Sequence, residues 1–506
     1  MKFVDHLTRR EYIRLIGLGL VSTQIPFIAY GNTDHSDNDY FRELYYKTIS
    51  EISNLIFSKQ ITSLSLTKMM LERIEKCDKD LNSYVTLMSE QAIEVAIEMD
   101  KELLKGNYRG PLHGIPIGIK DLLFTKGTRT MAGTKVFSDF IPDYNATVVE
   151  KLENAGAVIL GKLTLCEGAQ APYHPDLKIP VNPWDASKWS GVSSSGSGVA
   201  TAAGLCFGSI GTDTGGSIRY PSAVNGCVGL KPTYGRVSRY GVFALAESMD
   251  HVGPMTRSVE DAVIMYEAIA GFDPYDPTSL TVPVTSIRNE LNGNIKGLRI
   301  GFDRHYSTDN VDVEIVDALE QVLLKLEQLD AIIVDITMPD VGDPGYMWYI
   351  LGTVEAALAH GETFPSRSEE YGIGFREDLE FGHNVSGVEY AKVIKMRSEF
   401  SGKLHQMLDN IDCMVCPSMS NPARNKSENP YNMSGEEWKR LNRKDVFSKP
   451  FNFSGVPTLS VPCGFSKDGI PLSVQFVGSK LDEAIICKAG YAYEQSTNWH
   501  TKHPRI

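Results

Sequence analysis

The chain has 506 residues, 42% apolar and 22% charged, an ordinary globular composition with ample material for a large core, which argues against a disordered or fibrous protein. Lys and Arg total 50 against 63 Asp and Glu, a formal net charge of −13. Such an acidic balance speaks against a nucleic-acid partner, because phosphate binding needs a basic surface.

Residues 8–14 read Thr-Arg-Arg-Glu-Tyr-Ile-Arg and precede a mildly apolar stretch, residues 15–29, that is too short to span a bilayer comfortably. The pattern resembles a twin-arginine export signal, and Ala29-Tyr30-Gly31 is a small-x-small site suited to a signal peptidase. Residues 1–31 are therefore expected to be a signal peptide and residues 32–506 the mature chain, exported to the periplasm or beyond; the competing reading is a basic amphipathic helix. No other segment approaches the run of about eighteen apolar residues that a membrane span needs.

Residues 40–105 repeat apolar side chains at three- and four-residue steps, as in Ile61-Thr-Ser-Leu-Ser-Leu-Thr-Lys-Met-Met-Leu-Glu-Arg-Ile-Glu-Lys76, and are predicted to be outer helices. Within them Ser65-Leu-Thr-Lys68 has the Ser-x-x-Lys spacing of penicillin-recognising enzymes, but it lies on an ordinary amphipathic helix without the partner motifs. From residue 110 to 271 short apolar runs broken by glycines alternate with helical stretches, which predicts a layered α/β domain. Gly156-Ala-Val-Ile-Leu-Gly-Lys162-Leu163 misses a phosphate-binding loop by its final residue, and its middle reads as a strand. Residues 296–506 again mix strands, at 298–302 and 332–335, with long helices, and residues 421–433 read as a polar loop. No composition break divides the mature chain. The eight cysteines sit mostly in apolar runs and read as buried hydrophobes. Cys413-Met-Val-Cys416 has redox or zinc spacing, but on a strand residues three apart point to opposite faces. The eleven histidines show no metal-ligand spacing; no metal or cofactor is expected.

The chemistry concentrates in two serine-glycine loops, Gly191-Val-Ser-Ser-Ser-Gly-Ser-Gly198 and Gly211-Thr-Asp-Thr-Gly-Gly-Ser217-Ile-Arg219, separated by a compact apolar run that suits a buried helix and strand rather than a linker. Glycines beside a serine let the chain turn sharply, bare the hydroxyl and free successive N–H groups for a developing oxyanion. A serine hydroxyl is a poor nucleophile until a base takes its proton, and a lysine serves as that base only when neutral. Burial favours the neutral amine, and Ile115-Pro-Ile-Gly-Ile119 is an apolar strand that carries Lys120 inward.

These segments resemble the amidase signature family. The resemblance rests on the two serine loops, on Gly229-Leu-Lys-Pro-Thr233, on Pro111-Leu-His-Gly-Ile-Pro-Ile-Gly-Ile-Lys-Asp121, on Asn182-Pro-Trp-Asp185 and on Lys449-Pro-Phe-Asn-Phe-Ser-Gly-Val-Pro457, which together extend through most of the mature chain. It implies a single large α/β/α unit with a mixed, twisted central sheet surrounded by helices. It also implies a Ser–cis-Ser–Lys triad: Ser217 as nucleophile, Ser193 as the bridging serine after a cis peptide bond, and Lys120 as terminal base. Thr214, Gly215, Gly216 and Ser217 would supply oxyanion-hole N–H groups. Val192 and Ser195 stand where the family usually has glycine. Asp213 and Arg219 flank the nucleophile as a structural pair, Lys231 reads as structural, and His113 as packing near the lysine strand.

The expected function is hydrolysis of a carboxylic amide to acid plus ammonia or amine through an acyl-enzyme, with a small amide as substrate, no nucleic-acid partner, no membrane insertion after signal removal, and homodimerisation left open. Two other readings compete: the glutaminase-type amidase subunit of a tRNA-dependent amidotransferase, and a non-catalytic binding protein on the same scaffold. The acyl pocket is expected from the variable segments 165–177 and 346–400.

Overall fold

The computed structural model describes residues 44–170, 172–426 and 447–506. The expected signal peptide lies outside these residues, as does the later part of the loop read at 421–433. Eleven strands form one sheet: β1 Tyr84–Leu87, β2 Pro116–Lys120, β3 Val158–Leu163, β4 Gly208–Asp213, β5 Val228–Lys231, β6 His251–Thr256, β7 Arg299–Phe302, β8 Ile332–Asp335, β9 Cys413–Pro417, β10 Thr458–Phe465 and β11 Pro471–Gly478. Their spatial order is β1-β3-β2-β4-β6-β5-β10-β11-β9-β7-β8. β2 runs parallel to β3 and β4, and β7 parallel to β8 and β9, while the other neighbours are antiparallel. The sheet is mixed, as the resemblance implied.

Helices cover both faces. Along β4, a Cβ built on Gly208 would strike Met265 of the Val259–Ile269 helix, whereas one on Gly211 would meet Ser194, at the start of the Ser195–Ala202 helix. Residues three apart on a strand face opposite ways, so these two helices sandwich the sheet. All six residues of β3 and β4 are buried, as are all five of β2. That matches their near-continuous apolar reading and the rule that parallel strands are covered on both faces.

The amino-terminal helices start at local caps. Thr48 and Thr62 form capping boxes for Ile49–Phe57 and Ser63–Leu81. Ser65 is spent in the second of these boxes, which accounts for the Ser-x-x-Lys spacing without any catalysis. One element departs from the helical expectation for residues 40–105: Tyr84–Leu87 is an edge strand antiparallel to β3. Four residues are too few for a period to show.

The topology places the site. β2 and β4 are parallel neighbours, with Gly118 opposite Ser209 and Ile119 opposite Ile210, so their carboxyl ends emerge side by side. That edge is where open α/β sheets put their ligands. Lys120 ends β2, and the turn carrying Ser217 follows β4.

Candidate active site

Lys120 is fully buried. Its Nζ lies 2.7 Å from Ser193 Oγ and 2.8 Å from Thr212 Oγ1. Burial lowers its pKa from 10.5 to about 7, against the opposing pull of Cys166, Asp250 and Asp213. The same desolvation pushes the Cys166 thiol up to about 12 and the Asp250 carboxyl up to about 6. An amine here gives up its proton near neutrality.

Ser193 is buried and follows the cis peptide bond Val192–Ser193, so the valine in place of glycine does not displace the expected isomer. The N–H of Ser194 donates to the backbone carbonyl of Ser217 at 3.3 Å, joining the two serine loops at the residues of interest. Ser217 itself is partly exposed, whereas residues 211–216 of its loop are buried. The structure thus brings Lys120, Ser193 and the Ser217 loop together at one sheet edge, with only the last hydroxyl-bearing residue open to solvent.

The turn between β4 and the Arg219–Asn225 helix is built around Asp213. Both oxygens of its carboxylate are engaged by Arg219, at 3.0 Å from Nε and 2.9 Å from Nη2, with both side chains fully buried. Burial alone would raise the Asp213 pKa, but the charge and hydrogen bonds of Arg219 outweigh it and hold the carboxyl far below the usual range. The N–H groups of Gly216 and Ile218 donate to the same carboxylate at 2.8 and 3.0 Å, and Asn452 Nδ2 donates to it at 2.9 Å. Gly216 sits at φ +127°, where only glycine is at ease. The expectation that Gly216 supplies an oxyanion donor is corrected here, because its N–H is spent on Asp213. No hydrogen bond among the described residues takes the N–H of Gly215 or Ser217. Thr214 donates its hydroxyl to Asp250 at 2.5 Å and accepts on its carbonyl from Trp348 Nε1 at 3.0 Å.

The remaining candidates fall into structural places. Lys231 Nζ donates to the carbonyls of Val456 and Pro232 at 2.6 and 3.2 Å, and His113 is buried with Nε2 2.9 Å from the Met99 carbonyl. Lys162, of the near-miss phosphate loop, is a buried β3 residue whose Nζ donates to the Leu123 carbonyl and to Thr125 and Thr130. All eight cysteines are buried free thiols, and Cys413 and Cys416 lie on β9. Among the described residues no group of three His, Cys, Asp or Glu is placed to hold a metal, and no helix is long and apolar enough to cross a membrane.

Sequence reasoning missed Thr212, Trp348, Ser448 and Asn452. Thr212 lies within the second serine-glycine segment, but what brings it to Lys120 is the pairing of Ile119 with Ile210, which the sequence does not show. The other three come from segments distant in sequence. A cavity of about 530 Å3, lined by Asp121, Met131, Thr164, Leu165 and the edge strand β1, opens beside the same strand ends without including the serines.

The model of the family described as Amidase matches residues 65–487. The chain belongs to the amidase family. It is a hydrolase acting on carbon–nitrogen bonds of amides. It is 42% identical over 460 residues to AmiD of Mycobacterium tuberculosis, named as an amidase, covering 90% of this chain and 96% of that one. It is 36% identical over 489 residues to one of the subunits of the glutamyl-tRNA(Gln) amidotransferase of Moorella thermoacetica, covering 92% and 99%. Among solved structures it resembles the peptide amidase in complex with the competitive inhibitor chymostatin, with TM-score 0.81 and 30% identity over 91% of this chain and 99% of that chain.

Proposed function

We propose that this amidase works through an acyl-enzyme on Ser217, with Ser193 as proton relay and Lys120 as base. The observation that carries the reading is the Lys120 amine, brought to about pH 7 by burial and held 2.7 Å from Ser193 Oγ. Neutral Lys120 takes the Ser193 proton as Ser193 takes that of Ser217, and Ser217 Oγ bonds the amide carbon. The carbonyl oxygen becomes an oxyanion facing the free N–H groups of Gly215 and Ser217. As the C–N bond breaks, the proton returns from Lys120 through Ser193 to the leaving nitrogen. Ammonia or an amine departs, and water, deprotonated by the same relay, releases the acid.

Ser217→Ala should abolish turnover with the fold intact, and a fluorophosphonate should label Ser217 in the wild type. Full activity in a folded alanine variant refutes the assignment.

The likeness to a peptide amidase makes peptide amides, alongside aliphatic, aromatic and aminoacyl amides, the first substrates to profile. The likeness to an amidotransferase component supports a second reading, glutamine hydrolysis feeding a tRNA-bound acceptor. Ammonia release from glutamine that rises with charged tRNA would favour it, while the net charge of −13 favours a free-standing enzyme without nucleic acid. We further propose export through the Thr8-Arg9-Arg10 segment. Changing both arginines to lysine should trap an uncleaved precursor in the cytoplasm, and normal export of mature protein counts against that route.

A further inference from the structure

In a trans peptide the carbonyl of one residue and the N–H of the next point in opposite directions. Among the described residues the only cis bonds are Val192–Ser193 and Phe364–Pro365, so every peptide of the 213–218 turn obeys this rule. All five planes of the turn are held on their carbonyl side: Asn452 Nδ2 donates to the Asp213 carbonyl at 3.0 Å and the Tyr220 N–H to the Gly216 carbonyl at 2.7 Å, and Ser448, Ser194 and Trp348 hold the other three. Ser448 Oγ donates to the Gly215 carbonyl at 2.6 Å, and the opposed Gly216 N–H reaches Asp213. Ser194 N–H donates to the Ser217 carbonyl, and the opposed Ile218 N–H also reaches Asp213. Trp348 Nε1 donates to the Thr214 carbonyl at 3.0 Å, and the opposed N–H is that of Gly215, which has no acceptor among the described residues. Of these three planes, only the one held by Trp348 leaves its donor without an acceptor among the described residues; the N–H groups of Thr214 and Ser217, opposed to the Asp213 and Gly216 carbonyls, are likewise untaken and flank it.

Trp348 stands on the Pro344–Ala359 helix, 134 residues beyond Thr214. Its indole fills the space next to the turn: a Cβ built on Gly215 would lie 2.4 Å from its Nε1. Lys449 Nζ lies 5.7 Å from the ring centroid, a cation–π distance. Gly215, with no Cβ to restrict its φ, leaves the Thr214–Gly215 plane free to swivel unless something outside the turn holds it.

We infer that Trp348 is a positioning residue for the oxyanion hole, its indole N–H fixing the Thr214 carbonyl so that the Gly215 N–H is aimed at the oxyanion. The inference rests on Ser217 being the nucleophile. Its chemistry is separable from that of Lys120. A proton relay matters more for amides than for esters, whereas an oxyanion donor serves both tetrahedral intermediates alike.

The test is Trp348→Phe, which keeps an aromatic ring and removes the N–H, assayed on the anilide and the phenyl ester of one short aliphatic acid. Loss of a direct oxyanion donor lowers kcat by about 100- to 1000-fold, so loss of its support should lower kcat on the order of 10- to 100-fold. The factor should be equal for anilide and ester, with KM within about twofold and thermal stability near wild type. The boronic acid of the same acyl length should lose affinity by a similar factor. Gly215→Ala, whose methyl displaces the indole, should reproduce the loss, and the double variant should be no worse than either single one. If Trp348→Phe does not fold, Gly215→Ala alone decides. A kcat within about twofold of wild type, a loss confined to KM, or losses that multiply in the double variant overturn the positioning role. Ser217→Ala run alongside separates the two failures: an active alanine variant removes the nucleophile assignment itself, whereas an inactive one beside an unimpaired Trp348→Phe removes only the role of Trp348.

Discussion

A neutral Lys120 makes a quantitative demand on stability as well as on catalysis. Its pKa falls from 10.5 in the unfolded chain to about 7 in the fold, which corresponds to about 5 kcal/mol of preference for the neutral amine at about 1.4 kcal/mol per factor of ten. The folded state holds the proton only below about pH 7, while the unfolded chain holds it up to about pH 10.5. The unfolded state is therefore the more protonated between those values, and stability rises with pH across that window. Lys120→Met keeps the length of the side chain and removes the titration. It leaves the Ser193 and Thr212 hydroxyls each short of a partner, an offset of about 1–3 kcal/mol per group that does not vary with pH. The pH-dependent part of the comparison is then clean: between pH 9 and pH 6 the wild type should lose about 2.7 kcal/mol relative to the methionine variant. Urea midpoints of both proteins at pH 6, 7, 8 and 9 measure it, and the kcat/KM of the wild type for an amide should climb through about pH 7 in parallel. A stability difference that stays flat across the series, or that moves the other way, means that Lys120 is charged in the fold and another base must be sought.

Lys120→Ala should lower kcat/KM for an amide by more than for the matched ester, because an amine leaving group needs a proton and a phenoxide hardly does; equal losses would leave the lysine a structural residue. Thr212→Val deletes the hydroxyl 2.8 Å from Lys120 Nζ and should lower amide kcat/KM on the order of tenfold and shift the rising limb of the pH profile near pH 7, at a stability loss of about 1–2 kcal/mol; an unmoved profile would leave Thr212 without influence on Lys120. Arg219→Met strands the buried Asp213 carboxylate and should destabilise the protein by about 3–5 kcal/mol in urea unfolding. In the variant burial, no longer offset by Arg219, raises the Asp213 pKa above the ordinary carboxylate range, so the stranded carboxylate is relieved by protonation and the deficit should shrink as pH falls through that raised value; a deficit that grows in acid contradicts the pairing.

The layered α/β fold was legible from short-range signals. Buried parallel strands such as β2, β3 and β4 show as apolar runs, because no face needs to be polar, and the Ser63–Leu81 helix shows in the three- and four-residue apolar period of residues 61–76. β1 was missed because its four residues make an edge strand only through the partner that β3 provides.

The candidate site divides along the same physical line. Which residues bear hydroxyl, amine or guanidinium, and where glycine lets the chain turn, are properties of adjacent residues, so Lys120, Ser193, Ser217 and the Asp213–Arg219 pair were legible in the chain. Tertiary structure decided what those groups can do. The proton affinity of Lys120 depends on how completely distant segments exclude water, and the direction of each N–H in the turn depends on what holds its carbonyl. Those holders arrive from 134 residues away in Trp348 and 233 in Ser448. Gly216 was misassigned for that reason: a glycine in a Gly-Gly-Ser turn reads as a free donor, and only the folded position of Asp213 shows that its N–H is already taken. Desolvation and peptide-plane orientation are sums over neighbours in space, and a linear sequence names the neighbours without saying which of them meet.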